Sequence, residues 1–248
     1  MPFAENNGVK IHYQTEGNGP ELMLQHGYTT SLDRWYEAGY VDALKSRFKL
    51  ILVDARGHGQ SDKPHLPEDY RWDIRCADSL AVADALGLDR FHFWGYSMGG
   101  IYGYQLAKNA AHRLNGLIIG GADPYALSFS AFNDVGADDP EAFISAMERL
   151  LNERFTRQSC ERMLNNDLRA MIAAAGDRVS VEQEMLDSKV DCLLYVGDQD
   201  DRYERVSRFA QGMETAELAI IPGQNHAGVM ARGDLVLPAA LDYLNQFN

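Results

Sequence analysis

The run Phe91-His92-Phe93-Trp94-Gly95-Tyr96-Ser97-Met98-Gly99-Gly100-Ile101 decides how this chain folds. A short apolar stretch leads into Gly-x-Ser-x-Gly, and a helical pattern through Leu106 and Ala107 leads out of it. Strand, sharp turn and helix are the setting of a nucleophile elbow, which stands a serine hydroxyl at the head of a helix. The turn forces Ser97 into a strained backbone conformation, at a cost of about 1–3 kcal/mol. Gly95 and Gly99, two residues to either side, leave room for strand and helix to pass closely.

The same alternation extends outward from the elbow. Val9-Lys10-Ile11-His12-Tyr13-Gln14 alternates apolar and polar residues, as an edge strand would. Leu22-Met23-Leu24 reads as a short buried strand ending at His26-Gly27, and Leu50-Ile51-Leu52-Val53 as a central parallel one. A helix is expected over residues 33–46. Ile74, Ala77, Leu80, Ala81 and Ala85 mark the apolar face of another. Leu117-Ile118-Ile119, Leu193-Leu194-Tyr195-Val196 and Leu218-Ala219-Ile220-Ile221 supply three later strands, and a last helix covers residues 235–247. Strands alternating with helices predict a doubly wound, mostly parallel sheet with helices on both faces. Residues 124–188 break the rhythm. Phe143, Met147, Leu150 and Leu151 repeat at helical spacing there, without a convincing strand. We read 124–188 as a short helical cap inserted into a core made of 1–123 and 189–248.

Composition limits the function classes. A chain of 248 residues with 46% hydrophobic content can bury one large α/β core with an insertion. A net charge of −13 argues against nucleic acid and against an anionic membrane surface as partners. No apolar run reaches the length of a membrane span, and the start, Met1-Pro2-Phe3-Ala4-Glu5, does not read as a signal peptide. Cys76, Cys160 and Cys192 have neither zinc-ligand nor redox spacing, so buried free thiols in a reducing cytoplasm are expected. A homo-oligomer stays open.

A serine hydroxyl needs a base, and the base needs an orienting acid. Of the seven histidines, His226 lies in the loop after the last strand, where catalytic groups of such sheets gather. His12 and His92 lie inside strands, and His65 and His112 read as surface residues. The acid is sought between Ser97 and His226. The loop Gly197-Asp198-Gln199-Asp200-Asp201 offers three carboxylates, with Asp200 the first choice, and Asp123 ends an earlier strand. Two backbone N–H groups are expected to hold the oxyanion: that of Met98, after the nucleophile, and that of Tyr28, after His26-Gly27. His26 itself reads as a structural hydrogen-bonding residue.

These segments resemble the α/β-hydrolase superfamily nearly end to end. His26-Gly27 is similar to its oxyanion loop, and Asp54-x-Arg56-Gly57-His58-Gly59-x-Ser61-Asp62-Lys63-Pro64 to its D-x-R-G-x-G-x-S segment. Gly95-Tyr96-Ser97-Met98-Gly99-Gly100 matches its elbow, Gly197-x-x-Asp200 its acid loop, and Asn225-His226 its histidine loop. The register of the acid loop favours Asp200. Asp201-Arg202 departs from the pattern, since many relatives carry proline or an apolar residue there.

The resemblance implies an α/β-hydrolase fold with catalytic Ser97, Asp200 and His226, an oxyanion hole at Tyr28 and Met98, and no metal or organic cofactor. Relatives sharing the D-R-G-H-G-x-S-D-K-P run include dehalogenases and epoxide hydrolases, which use aspartate at the elbow; Ser97 counts against both. The expected reaction is acyl transfer from a small ester or lactone. Carbon–carbon bond hydrolysis of a diketone-type compound is the alternative, and a non-catalytic ligand-binding member is the contrasting class. Tyr96, Tyr125 and Phe129 are candidate substrate contacts. Arg149, Arg154, Arg157, Arg162 and Arg169 read as a solvated helix face, against the other reading that they hold a substrate carboxylate.

Overall fold

The structure is a computed structural model that describes residues 2–247. It opens with a hairpin, β1 (Phe3–Asn6) and β2 (Val9–Glu16), joined at Asn7-Gly8, where both residues have positive φ, 51° and 80°. Asn-Gly is the preferred pair for such a turn, because both residues tolerate the left-handed region. The expected edge strand is therefore second in the sheet, and β1 takes the edge. Strand β3 (Glu21–Gln25) follows.

The helix expected over 33–46 is two short ones, α1 (Asp33–Glu37) and α2 (Tyr40–Leu44). Gly39, at φ 79°, ends the first turn and redirects the chain. That break lets Trp35 and Tyr40 both pack edge-on against Trp94, with ring centroids 5.7 and 5.3 Å away. Trp94 thus points into the core, and its indole N–H donates to the Tyr195 hydroxyl at 3.0 Å.

Strand β4 (Lys49–Val53), helix α3 (Trp72–Ala85), the elbow strand β5 (Phe91–Tyr96), helix α4 (Met98–Ala110) and strand β6 (Leu114–Gly120) complete the first half. Every residue of β5 is buried, as its unbroken apolar pattern requires of a central strand. The face of α3 differs from the expectation. Arg75, Cys76, Asp78, Ser79, Val82 and Ala83 are buried, while Ile74, Ala77, Leu80 and Ala81 are half-buried and Ala85 is exposed. Asp78 can occupy the inner face because it is paired there. Asp78 accepts two hydrogen bonds from Arg56, at 2.5 and 2.6 Å, and one from Asn6 at 2.8 Å.

Between β6 and β7 (Cys192–Gly197) run four helices: α5 (Pro140–Leu151), α6 (Arg157–Leu164), α7 (Leu168–Ala174) and α8 (Glu182–Asp187). Side chains cap three of them. Asp139 accepts from Ala142 N–H at 2.9 Å, Thr156 from Ser159 at 3.2 Å and Asp167 from Ala170 at 3.1 Å. Their apolar faces form a separate cluster around Phe132, Phe143, Met147 and Met171, to which Tyr70 contributes from the core. In place of a strand, a single antiparallel bridge, Leu127 to Arg178, ties the two ends of the segment.

Helix α9 (Tyr203–Gly212), strand β8 (Ala216–Ile221), and helices α10 (His226–Ala231) and α11 (Gly233–Leu244) close the chain. The eight strands are ordered β1-β2-β4-β3-β5-β6-β7-β8. The β1–β2 and β2–β4 pairs are antiparallel and the rest parallel. Connections run outward in both directions from the β3–β5 pair, the kind of switch point at which such sheets bind ligands. Among the described residues no helix is long and apolar enough to cross a membrane.

Candidate active site

Five loops at the carboxyl ends of β3, β5, β6, β7 and β8 converge on Ser97. Its backbone stands at φ 54°, ψ −114°, a strained region for a residue with a side chain. The two motif glycines are demanded by space. A Cβ at Gly95 would lie 2.0 Å from the carbonyl oxygen of Gly99, and one at Gly99 2.1 Å from that of Gln25. Ser97 N–H donates to Gly120 O at 2.8 Å, which pins the turn to the neighbouring strand.

His226 is the first residue of α10, whose N-terminus is capped by the Asn225 side chain accepting from Gly228 N–H. The Ser97 hydroxyl donates to His226 Nε2 at 2.9 Å, and His226 Nδ1–H donates to Asp200 Oδ2 at 2.7 Å. The other carboxylates lie elsewhere. Asp198 accepts from Gly223 N–H, Asp201 is exposed, and Asp123 binds Arg178 and Arg205. Burial alone would raise the Asp200 carboxyl. Its hydrogen bond to His226 and the charges of His226 and Arg202 outweigh that and hold it down at about 2. Arg202 Nη1 lies 3.3 Å from Asp200 Oδ1 and 3.4 Å from His226 Nδ1, so the arginine two residues after Asp200 touches Asp200 itself.

A carboxyl that titrates near 2 when folded and near 3.9 when unfolded contributes stability fully above about pH 4, and loses it as pH falls through 2. The contribution is about 2.5 kcal/mol. In urea unfolding, the stability difference between the wild type and Asp200→Asn is therefore expected to shift against the wild type from pH 5 to pH 3. An unchanged difference would place the charge stabilisation elsewhere.

The loop after β3 is braced by two histidines. His26 Nδ1–H donates to Gly27 O and its Nε2 accepts from Ala55 N–H at 3.0 Å; His58 Nδ1–H donates to Arg56 O and its Nε2 accepts from Thr29 N–H at 3.1 Å. Burial pushes both imidazoles down, which suits these neutral roles. Thr29 is held at φ 62°, and the loop runs close enough that a Cβ on Gly27 would meet Ser97 Cβ at 3.4 Å. Among the described residues the N–H groups of Tyr28 and Met98 meet no acceptor.

A cavity of about 180 Å³ opens beside Ser97. Phe129, Met147, Leu150, Leu151, Phe155 and Met163 line it from the helical segment, and Tyr28 and Tyr96 from the core. Tyr96 also braces His226: its hydroxyl donates to His226 O, and its ring packs 5.3 Å from the imidazole. Tyr125 does not line the cavity. Its ring turns outward to Phe209 and beneath the guanidinium groups of Arg205 and Arg208, which offer it more contact than the pocket does. Arg154 and Arg157 are exposed and pair with Glu148 and Glu161, whereas Arg162 reaches the cavity wall.

Several lining or bracing residues escape the sequence reading. Arg75 and Trp72 project from α3, Arg178 returns from the end of the helical segment, and Glu153 accepts His226 N–H at 3.1 Å. A charged residue at an inward helical position, as Arg75 is, was the one available signal.

Comparison with known proteins agrees with this architecture. A profile of the alpha/beta hydrolase fold family matches residues 20–169. A provisionally named carbamate hydrolase of Agrobacterium fabrum is 24% identical over 261 aligned residues, 95% of this chain and 97% of the relative. The enol-lactonase of Burkholderia xenovorans LB400 superimposes with a TM-score of 0.81 at 24% identity, covering 98% of this chain and 100% of its own. A thermophilic esterase of Thermogutta terrifontis superimposes with a TM-score of 0.83 at 20% identity, covering 99% and 98%. At these identities the likeness shows the fold, and with the profile match it leads to one conclusion: the chain belongs to the α/β-hydrolase fold family.

Proposed function

We propose that the protein is a serine hydrolase that cleaves a small carboxylic ester or lactone through an acyl-enzyme on Ser97. The observation that carries this reading is the unbroken line from Ser97 Oγ through both nitrogens of His226 to Asp200, at 2.9 and 2.7 Å. His226 Nε2 takes the hydroxyl proton as Ser97 Oγ bonds to the substrate's carbonyl carbon. Asp200 holds the imidazole in the tautomer that accepts at Nε2 and stabilises the imidazolium that forms. The carbonyl oxygen, now negative, accepts from the N–H groups of Tyr28 and Met98, each worth about 10²–10³ in rate. The bond to the leaving oxygen breaks, and the alcohol departs with the proton from His226. Water then gives a proton to His226, adds to the acyl carbon, and releases Ser97 with its proton restored. Residues 124–188 act as a cap that closes the acyl site from water.

A fluorophosphonate probe tests the reading. Folded protein is expected to be labelled at Ser97, one adduct per chain, with labelling abolished by Ser97→Ala. Folded protein left unlabelled would favour a ligand-binding role for the same pocket.

A further inference from the structure

Among the described residues the cavity beside Ser97 is lined by Arg34, Arg75, Arg162, Arg178 and Arg202, and by no aspartate or glutamate. In a chain of net charge −13 this is a local reversal of sign. Most of these cations are already committed. Arg34 and Arg162 pair with Glu37, Arg178 with Asp123, and Arg202 with Asp200. Arg75 is different: among the described residues no carboxylate forms an ion pair with it, although it is only 2% exposed.

Its surroundings hold it in place without neutralising it. Nε–H donates to Tyr70 O and Nη2–H to Ala174 O, both at 2.6 Å. The rings of Trp72 and Tyr70 lie 4.3 and 5.3 Å from its central carbon. Among the described residues Nη1 finds only the Met98 sulfur, at 3.9 Å, a weak acceptor. A guanidinium carries five N–H donors in a rigid fork that matches a carboxylate, so the Nη1 edge, on the wall beside Met98, is left to bind one. A buried cation without a counter-charge is costly, and burial indeed pulls the Arg75 guanidinium down from its ordinary value. The cost is recovered when an anion enters.

We propose that Arg75 is a substrate-binding residue and that the ester or lactone cleaved at Ser97 carries a carboxylate, which Arg75 Nη1 receives. This deepens the serine-hydrolase reading and rests on it.

The test is a series of p-nitrophenyl hydrogen esters of succinate, glutarate and adipate, each compared with the uncharged isostere in which an isopropyl group replaces the carboxylate. For at least one length, wild-type kcat/KM is expected to favour the acid by about 10-fold or more, as charge-assisted binding implies. Arg75→Gln is expected to cut that acid-to-neutral ratio about 30-fold, mostly through KM, and Arg75→Lys to recover part of it. Arg157→Gln, at an exposed surface arginine, leaves the ratio as in the wild type. No preference at any length, or a ratio untouched by Arg75→Gln, would overturn the proposal. A second arm needs neither turnover nor an Arg75 variant. Ser97→Ala protein titrated with free glutarate or adipate is expected to bind one of them and to unfold at higher temperature, whereas 1,5-pentanediol does neither. Equal response to the diol, or no response to any of them, would overturn it too. Ester hydrolysis surviving in Ser97→Ala would instead remove the serine mechanism, so the two failures are distinguishable.

Discussion

On the proposed mechanism, Ser97→Ala is expected to lower kcat for ester hydrolysis by about 10⁶, and Asp200→Asn by about 10⁴. The first number is larger because in the proposed reaction Ser97 would form and break bonds, whereas Asp200 would act through the imidazole. An asparagine at 200 can still meet His226 Nδ1, but its amide N–H₂ favours the tautomer that carries the proton on Nε2, facing Ser97. The two losses do not multiply. Once Ser97 Oγ is gone, His226 has no proton to take and its orientation no longer matters to the first step. The double variant is therefore expected to be no slower than Ser97→Ala alone, the residue of rate coming from the oxyanion donors and from binding. Burst and steady-state kinetics on a p-nitrophenyl ester check all three variants. Multiplicative losses near 10¹⁰ would mean that Asp200 serves a step that does not run through Ser97. Each folded variant is expected to keep the wild-type circular dichroism, since neither substitution adds an atom where backbone stands.

The parts of this site that were legible in the sequence are those written by backbone constraint. Close approach of strand and helix demands glycine at 95 and 99, and those glycines can be read without knowing the partner. The same holds for His26-Gly27 and for the acid and histidine loops, each fixed to the end of an apolar strand. The hairpin of β1 and β2 was also open to reading, since Asn7-Gly8 is its usual turn. What could not be read depends on partners distant along the chain. The inner face of α3 looked wrong by hydrophobicity because Asp78 is neutralised by Arg56, and Asn6 joins the same carboxylate from β1. Tyr125 turned away from the cavity because Arg205, Arg208 and Phe209 of α9 give its ring a better site. Glu153 meets the His226 backbone across a separation of 73 residues, and only the packing of α5 over the core brings it there. Pattern reveals where the chain must bend; it does not reveal which polar groups find each other afterwards.

Gly95→Ala is expected to destabilise the protein by about 4 kcal/mol or more, beyond the 1–3 kcal/mol usual for overpacking, because no side chain can yield. The added methyl would stand 2.0 Å from Gly99 O, 2.2 Å from Gly99 C and 2.7 Å from Gly100 N, all of them backbone atoms of the first turn of α4. Moving them shifts Ser97 and Met98 with them, so activity falls with stability. For a chain of this size the loss lowers the melting temperature by about 8–16 °C. Gly176→Ala is the matching control: its Cβ would meet nothing within 4 Å, and its φ is not positive. Alanine there restricts the unfolded chain and is expected to change stability by less than about 1 kcal/mol, in the favourable direction. Thermal unfolding followed by circular dichroism separates the two. If Gly95→Ala melted with the wild type, the elbow would have slack, and the need for glycine at 95 would have to lie in the reaction rather than in the approach of β5 to α4.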